Sequence, residues 1–212
     1  MPSADFAQKT MSSEYLLLLI AYLIGSVSAG IVVSRMLGIP DPRTFGSGNL
    51  GATNVLRTGR KGAALATLAG DVLKGFAPVM LARVLGFSDE WIAPIALAAF
   101  IGHLYPLWYG FKGGKGVATS LGVLLGLHWG AGVGALAVWL ATAWAVRISS
   151  LSALVAALAS PLLVWWTTQS FTLSATTLLM SALVWMRHRE NLRKLMNGTE
   201  PRIGAGPGRS SN

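Results

Sequence analysis

The chain has no cysteine, and only three histidines and eight acidic residues among its 212 positions. Without cysteine there is no disulfide, no thiol nucleophile and no thiolate metal site. His103, His128 and His188 are too scattered to argue for a metal, so neither a metal nor a cofactor is expected. The few acids are poorly placed for a Ser-His-Asp arrangement, with Asp71 deep in an apolar run. Charge of either sign is scarce: 12% of residues, against about 25% in a soluble domain. Residues 148–186 hold no Asp, Glu, Lys or Arg at all. A membrane-crossing helix takes about 20 such residues, which marks an all-α integral membrane protein surrounded by lipid bilayer.

The apolar blocks are 15–34, 62–82, 91–109, 116–146 and 148–186. The last must be two helices, and the polar stretch Thr167-Thr168-Gln169-Ser170 places the break. Block 116–146, read as one helix, would be about 46 Å long against a hydrocarbon core of about 30 Å. The sequence HWGAGVG at 128–134 offers a glycine turn there, so two short helices are expected, seven spans in all. The first fourteen residues are polar and lack the basic start of a cleavable signal, so the first apolar helix is expected to be retained. Met11 is a second candidate start. Three regions follow: a polar extension over 1–14, a seven-helix body over 15–200, and a flexible tail over 201–212.

Charge placement sets the orientation. With the N-terminus outside and the C-terminus cytoplasmic, all of the seventeen Lys and Arg residues except Lys9, Arg83 and Lys74 fall inside. One helix fewer would put the basic C-terminal cluster outside, against the positive-inside tendency. The net charge of +9 is therefore read as membrane topology, and no nucleic-acid partner is expected. This orientation also gathers three polar stretches on one face: 45–61, 102–119 and 187–200.

The first, FGSGNLGATNVLRTGRKG, mixes four turn-forming glycines with Ser47, Asn49, Thr53 and Asn54, and with Arg57 and Arg60. Arginine grips phosphate through paired hydrogen bonds. The second, GHLYPLWYGFKGGKGVATS, sets Lys112 and Lys115 among Gly113, Gly114 and Gly116, just where a helix begins. Backbone N–H groups and a helix N-terminus there suit an anion such as phosphate. The spacing is not that of a Walker A loop, because Gly116 stands where Ser or Thr is required. The bland alternative for either loop is a hydrated basic connector lying on anionic headgroups. The third stretch, RHRENLRKLMNGTE, places His188 three residues before Asn191, where the last span leaves the bilayer. Within the second span, Asp71 and Lys74 stand one turn apart and read as a neutralising pair, or as a link between helix and loops.

Taken together, SGNLGATNVLR (47–57), GHLYPLWYGFKGGKGVAT (102–119) and RHRENLRKLMNGTE (187–200) resemble the three signature motifs of the bacterial membrane acyl-phosphate:glycerol-3-phosphate acyltransferases, the PlsY family. Order, spacing and expected placement all match, and the likeness runs from about residue 14 to near the end. The resemblance implies an inner-membrane enzyme with seven helices and a cytoplasmic active site. In the implied reaction, the sn-1 hydroxyl of glycerol 3-phosphate attacks a long-chain acyl phosphate, giving lysophosphatidic acid and phosphate. This is the first acylation of phospholipid biosynthesis. Carried over by position, the catalytic set is Ser47, Arg57, Lys115, His188 and Asn191. The substrate-binding set is Asn49, Thr53, Asn54, His103, Lys112, Gly113, Gly114 and Gly116. An acyl phosphate is already activated, so positioning and electrostatic stabilisation suffice without an enzyme nucleophile. The proton could go to His188 or to a substrate phosphate.

Two other classes compete. An organophosphate transporter would carry its cations near the midplane and show an inverted repeat, and neither is apparent. An acyl-CoA-dependent acyltransferase would carry a His-x4-Asp pair, but Trp108, Val133 and Arg193 stand five residues after the three histidines.

Overall fold

A computed structural model describes the chain over residues 4–204, with side chains described from Ser13 onward. The described residues are helical with short connections and no strand. The order is α1 (Ala4–Gly25), α2 (Ala29–Met36), α3 (Ala52–Val55), α4 (Lys61–Val84), α5 (Asp89–Leu104), α6 (Val117–Leu127), α7 (Trp129–Val146), α8 (Ser149–Thr168), α9 (Phe171–Arg187) and α10 (Arg189–Met196). Residues 4–14 of the expected polar extension continue into α1 without a break. Of the expected tail, 201–204 are described and 205–212 lie outside the described residues, as do 1–3.

Among the described residues, four helical segments are long and apolar enough to cross a membrane: α4, α5 continued through Tyr109, α7 and α8. The α1–α2 pair, bent by 50°, makes a fifth. The apolar helices α6 and α9 are shorter, so length and composition alone carry five of the seven expected crossings.

Each break has a local cause. Gln169 takes a left-handed backbone and Ser170 then caps α9 by accepting the Leu173 N–H, within the polar stretch that the sequence marked. The other expected turn lies elsewhere than its glycines suggest. His128 alone separates α6 from α7, its Nδ1 accepting the Gly130 N–H at 3.1 Å, while Gly130, Gly132 and Gly134 are helical. A side chain at Gly132 would overlap Leu125, so these glycines serve helix packing instead. The break between α1 and α2 was not expected. Ser26 turns its hydroxyl back to the Tyr22 carbonyl and Ser28 caps α2, which ends one helix and starts the next.

Small residues let the helices meet backbone to backbone, the usual packing device inside membranes. Gly25 and Gly102 bring α1 against α5, and Gly75 and Gly122 bring α4 against α6. The buried core between them includes Phe100, Ile95, Leu104, Val123, Leu127, Leu173 and Met180. Trp144, Trp166, Phe171 and Leu162 point outward and are largely exposed, as lipid-facing side chains would be.

Candidate active site

One cavity of about 310 Å³ opens where the three polar stretches meet. Ten of the thirteen expected residues line it: Ser47, Asn49, Thr53, Asn54, Arg57, His103, Lys115, Gly116, His188 and Asn191. Lys112, Gly113 and Gly114 do not. From this polar mouth the cavity runs inward between α6, α7, α8 and α9 along Leu124, Leu136, Trp139, Ala153, Ala157, Met180 and Val184. It thus has one cationic end and one apolar end, the shape of an amphiphile.

The first stretch is held from within by Asn54, which is 2% exposed. Its Oδ1 accepts the Ser47 N–H at 2.9 Å, and its Nδ2 donates to the Pro42 and Phe45 carbonyls at 2.8 and 3.2 Å. The amide is therefore spent on the loop, and Asn54 shapes the site without offering a free group to a ligand. Gly46 and Gly48 take left-handed backbones that let the chain turn around it. Ser47 and Arg57 are left presented at the cavity wall, and the Arg57 guanidinium has no ion pair among the described residues.

The second stretch corrects an expectation. The N–H groups of Gly113 and Gly114 do not face a ligand; they donate at 3.2 Å to the Leu104 and His103 carbonyls at the end of α5. Their own carbonyls accept from Arg187, at 2.7 Å for Gly113 and 3.1 Å for Gly114. A side chain at Gly114 would overlap the His103 ring, and one at Gly116 would overlap Phe100. These glycines exist for close packing of backbone on α5. Lys112 is exposed outside the cavity. What remains for an anion is Lys115 and the first turn of α6, whose N–H groups have no partner within the helix.

Lys115 donates to Asn191 Oδ1, and Asn191 Nδ2 donates to Glu200 Oε1 at 2.6 Å. Ser150 donates to the same carboxylate oxygen at 2.6 Å. Burial pushes the Lys115 ammonium below its usual pKa, partly offset by Glu200 and Glu190. His188 is 2% exposed, and its Nδ1 lies 2.8 Å from the Val184 carbonyl. A carbonyl only accepts, so Nδ1 carries the proton and Nε2 keeps a lone pair. Burial lowers the His188 pKa to about 4, against the raising effect of the Val184 bond, so the ring is neutral near pH 7.

Sequence reasoning missed Arg187, Ser150 and Glu200. Glu200 stood inside the third stretch, but an acid in a basic tail carried no distinguishing signal. Ser150 opens α8 beside a second serine and looks like any helix start. Arg187 reads as a juxtamembrane charge, yet it clamps the glycine loop and lies over the Tyr105 ring at 5.5 Å.

Comparison with known proteins agrees with this arrangement. A family model described as glycerol-3-phosphate acyltransferase matches residues 15–198. A glycerol-3-phosphate acyltransferase of Thioalkalivibrio sulfidiphilus is 57% identical over 188 residues, covering 89% of this chain and 93% of its own length. That of Methylococcus capsulatus is 52% identical over 195 residues, covering 92% and 98%. Among solved structures, PlsY (YgiH), an integral membrane glycerol 3-phosphate acyltransferase in its glycerol 3-phosphate form, superposes with a TM-score of 0.86. It is 36% identical and covers 91% of this chain and 96% of its own. The lysophosphatidic acid form of the same protein gives a TM-score of 0.84.

Proposed function

The chain belongs to the glycerol-3-phosphate acyltransferase family, and we propose that it transfers a long-chain acyl group from acyl phosphate to the sn-1 hydroxyl of glycerol 3-phosphate. The observation that carries this reading is a continuous cavity with Arg57 and Lys115 at its mouth and an apolar lumen behind them. Both phosphates would stay at the cationic end, and the acyl chain would lie between α6 and α9. The hydroxyl oxygen attacks the acyl carbonyl carbon, the bond from that carbon to the phosphate oxygen breaks, and lysophosphatidic acid and phosphate leave. His188 Nε2 accepts the hydrogen bond of the attacking hydroxyl. With so low a pKa it orients that hydroxyl, and the proton ends on the departing phosphate. Lys115 and the α6 N-terminus stabilise the charge that develops there. Ser47 and Arg57 hold glycerol 3-phosphate opposite.

In this reading the chain crosses a bacterial inner membrane seven times, with the N-terminus outside and the site on the cytoplasmic side. The short α6 fits because it need not span alone. Its eleven residues rise about 16 Å. Gly113 and Gly114 bond to the end of α5, while the last residue of α6, Leu127, accepts from Arg83 near the end of α4.

Because the chain has no native cysteine, single cysteines report topology without background. Gly198→Cys should label only from the cytoplasm and Ser88→Cys only from outside; labelling of position 198 from outside would overturn the orientation. In kinetics, inorganic phosphate should inhibit competitively against acyl phosphate. Inhibition that acyl phosphate cannot relieve would remove the donor from the Lys115 site.

A further inference from the structure

The buried pair on α4 has contacts that charge cancellation alone does not require. Lys74 Nζ lies 2.8 Å from Asp71 Oδ1, with side chains 7% and 3% exposed. Ionic groups at such depth are costly, and a mutual ion pair would meet that cost. Lys74 reaches further, donating at 2.7 Å to the Val27 carbonyl, which belongs to the break between α1 and α2. On its other side, Asp71 Oδ1 lies 3.6 Å from His103 Nδ1, a packing contact beyond hydrogen-bond reach, and that ring nitrogen has no hydrogen-bond partner among the described residues.

Each of these outer contacts leads to one of the two substrate loops. Beyond Val27, α2 sets Gly30 so close to the Leu50 carbonyl that any side chain there would overlap it. Leu50 lies within the Ser47–Arg57 stretch, so the angle of the α1–α2 break fixes where that stretch stands. His103 accepts the Gly114 N–H through its carbonyl and packs its ring on Gly114, one residue before Lys115. Asp71 and His103 themselves reach the cavity wall.

We propose that Asp71 is a positioning residue: its carboxylate, paired with Lys74 and packed beside the His103 ring, holds the Ser47–Arg57 loop and the Gly113–Gly116 loop at one separation across the cavity. The proposal rests on those loops being the substrate site, but the separation itself can be measured without substrate. Two reactants held in a near-attack geometry lose rate steeply for small displacements. Loosening the loops should therefore lower kcat more than it raises either KM.

The test uses cysteines at Thr44 and Lys112, both exposed and each just before one of the two loops, in the otherwise cysteine-free full-length chain. Both are spin-labelled in lipid nanodiscs, and their distance distribution is read by pulsed EPR. The parent should give one narrow peak. Asp71→Asn should broaden it at least twofold. Asp71→Asn/Lys74→Met removes both charges and should recover the thermal midpoint lost in Lys74→Met, yet remain as broad as Asp71→Asn. His103→Gln leaves the ion pair intact, so it keeps the measurement available if the α4 variants fail to accumulate; it too should broaden the peak. In unlabelled protein, kcat should fall at least tenfold in each variant, with both KM values within threefold. A distribution as narrow as the parent's in whichever variants fold overturns the proposal. So does a double variant that recovers turnover together with stability. Failure of the parent to use acyl phosphate would strike the proposed chemistry and leave the EPR result standing.

Discussion

The 45–61 and 112–116 loops look alike in sequence and work in opposite ways. Both are glycine-rich and cationic, and both read as phosphate-binding loops. In the first, the glycines turn the chain so that side chains do the presenting: Asn54 staples the loop and Ser47 and Arg57 face the cavity. In the second, the glycines remove side chains so that the loop can lie flat on α5, and its amides and carbonyls are consumed by His103, Leu104 and Arg187. A glycine marks a place where backbone comes close to something, and sequence alone does not say whether that is ligand or protein.

The comparison breaks most violently at Gly114. A methyl there overlaps the His103 ring, so Gly114→Ala should leave no measurable turnover and a sharply lowered thermal midpoint. Gly48→Ala, by contrast, meets only the Arg43 carbonyl at 3.6 Å and carries a left-handed φ, a cost of about 1–2 kcal/mol that folding should survive. Equal damage at the two positions, seen by activity and differential scanning fluorimetry, would erase the distinction drawn here.

The two lysines of the second loop come next. Lys115→Ala should cost roughly 100- to 1,000-fold in kcat, the usual loss for one transition-state donor. Lys112→Ala, outside the cavity, should stay within about twofold of the parent. On the first loop, Arg57→Lys keeps charge and loses the planar fork, so kcat/KM for glycerol 3-phosphate should fall about 10- to 100-fold. Asn54→Ala should act through stability, because the Ser47 N–H loses its acceptor at about 1–3 kcal/mol; a lowered midpoint should accompany its loss of activity.

The smallest effect is one of pH. His188 titrates near 4, below its free value, because burial disfavours the charged ring. Nε2 should therefore stay available from neutrality down to about pH 5, and its contribution to kcat/KM should fall only as pH approaches 4. The unfolded chain takes up that proton first, so stability from this group is present above pH 6.5 and is lost as pH drops toward 4. A decline in kcat/KM near pH 6.5 that His188→Gln abolishes would show an exposed, ordinary imidazole.

The legible parts of the molecule were those written in one-dimensional patterns. The break at 167–170 announced itself by four polar residues in an apolar run. The motif residues that meet at the cavity came from three separate stretches, and charge bias alone gathered those stretches on one face. The illegible parts depend on what a residue touches across the fold. Gly130, Gly132 and Gly134 promised a turn, but Gly132 lies flat against Leu125 and Gly134 against Leu163 within a helix, and His128 makes the break instead. Four ordinary residues, Gly25 to Ser28, bend the first helix because Lys74, forty-seven positions away from Val27, supplies a donor for the freed carbonyl. Glu200 and Arg187 act through partners nine to seventy-four residues distant, which no local spacing encodes.

The central claim is that one amphiphilic cavity joins an acyl phosphate to glycerol 3-phosphate without a nucleotide-bearing donor. The direct measurement is product stoichiometry from the purified full-length protein in lipid nanodiscs, given glycerol 3-phosphate and either palmitoyl phosphate or palmitoyl-CoA. The account predicts one lysophosphatidic acid and one inorganic phosphate per turnover from palmitoyl phosphate, and no turnover from palmitoyl-CoA. Efficient acylation from palmitoyl-CoA, with free coenzyme A released in equal amount, would contradict it.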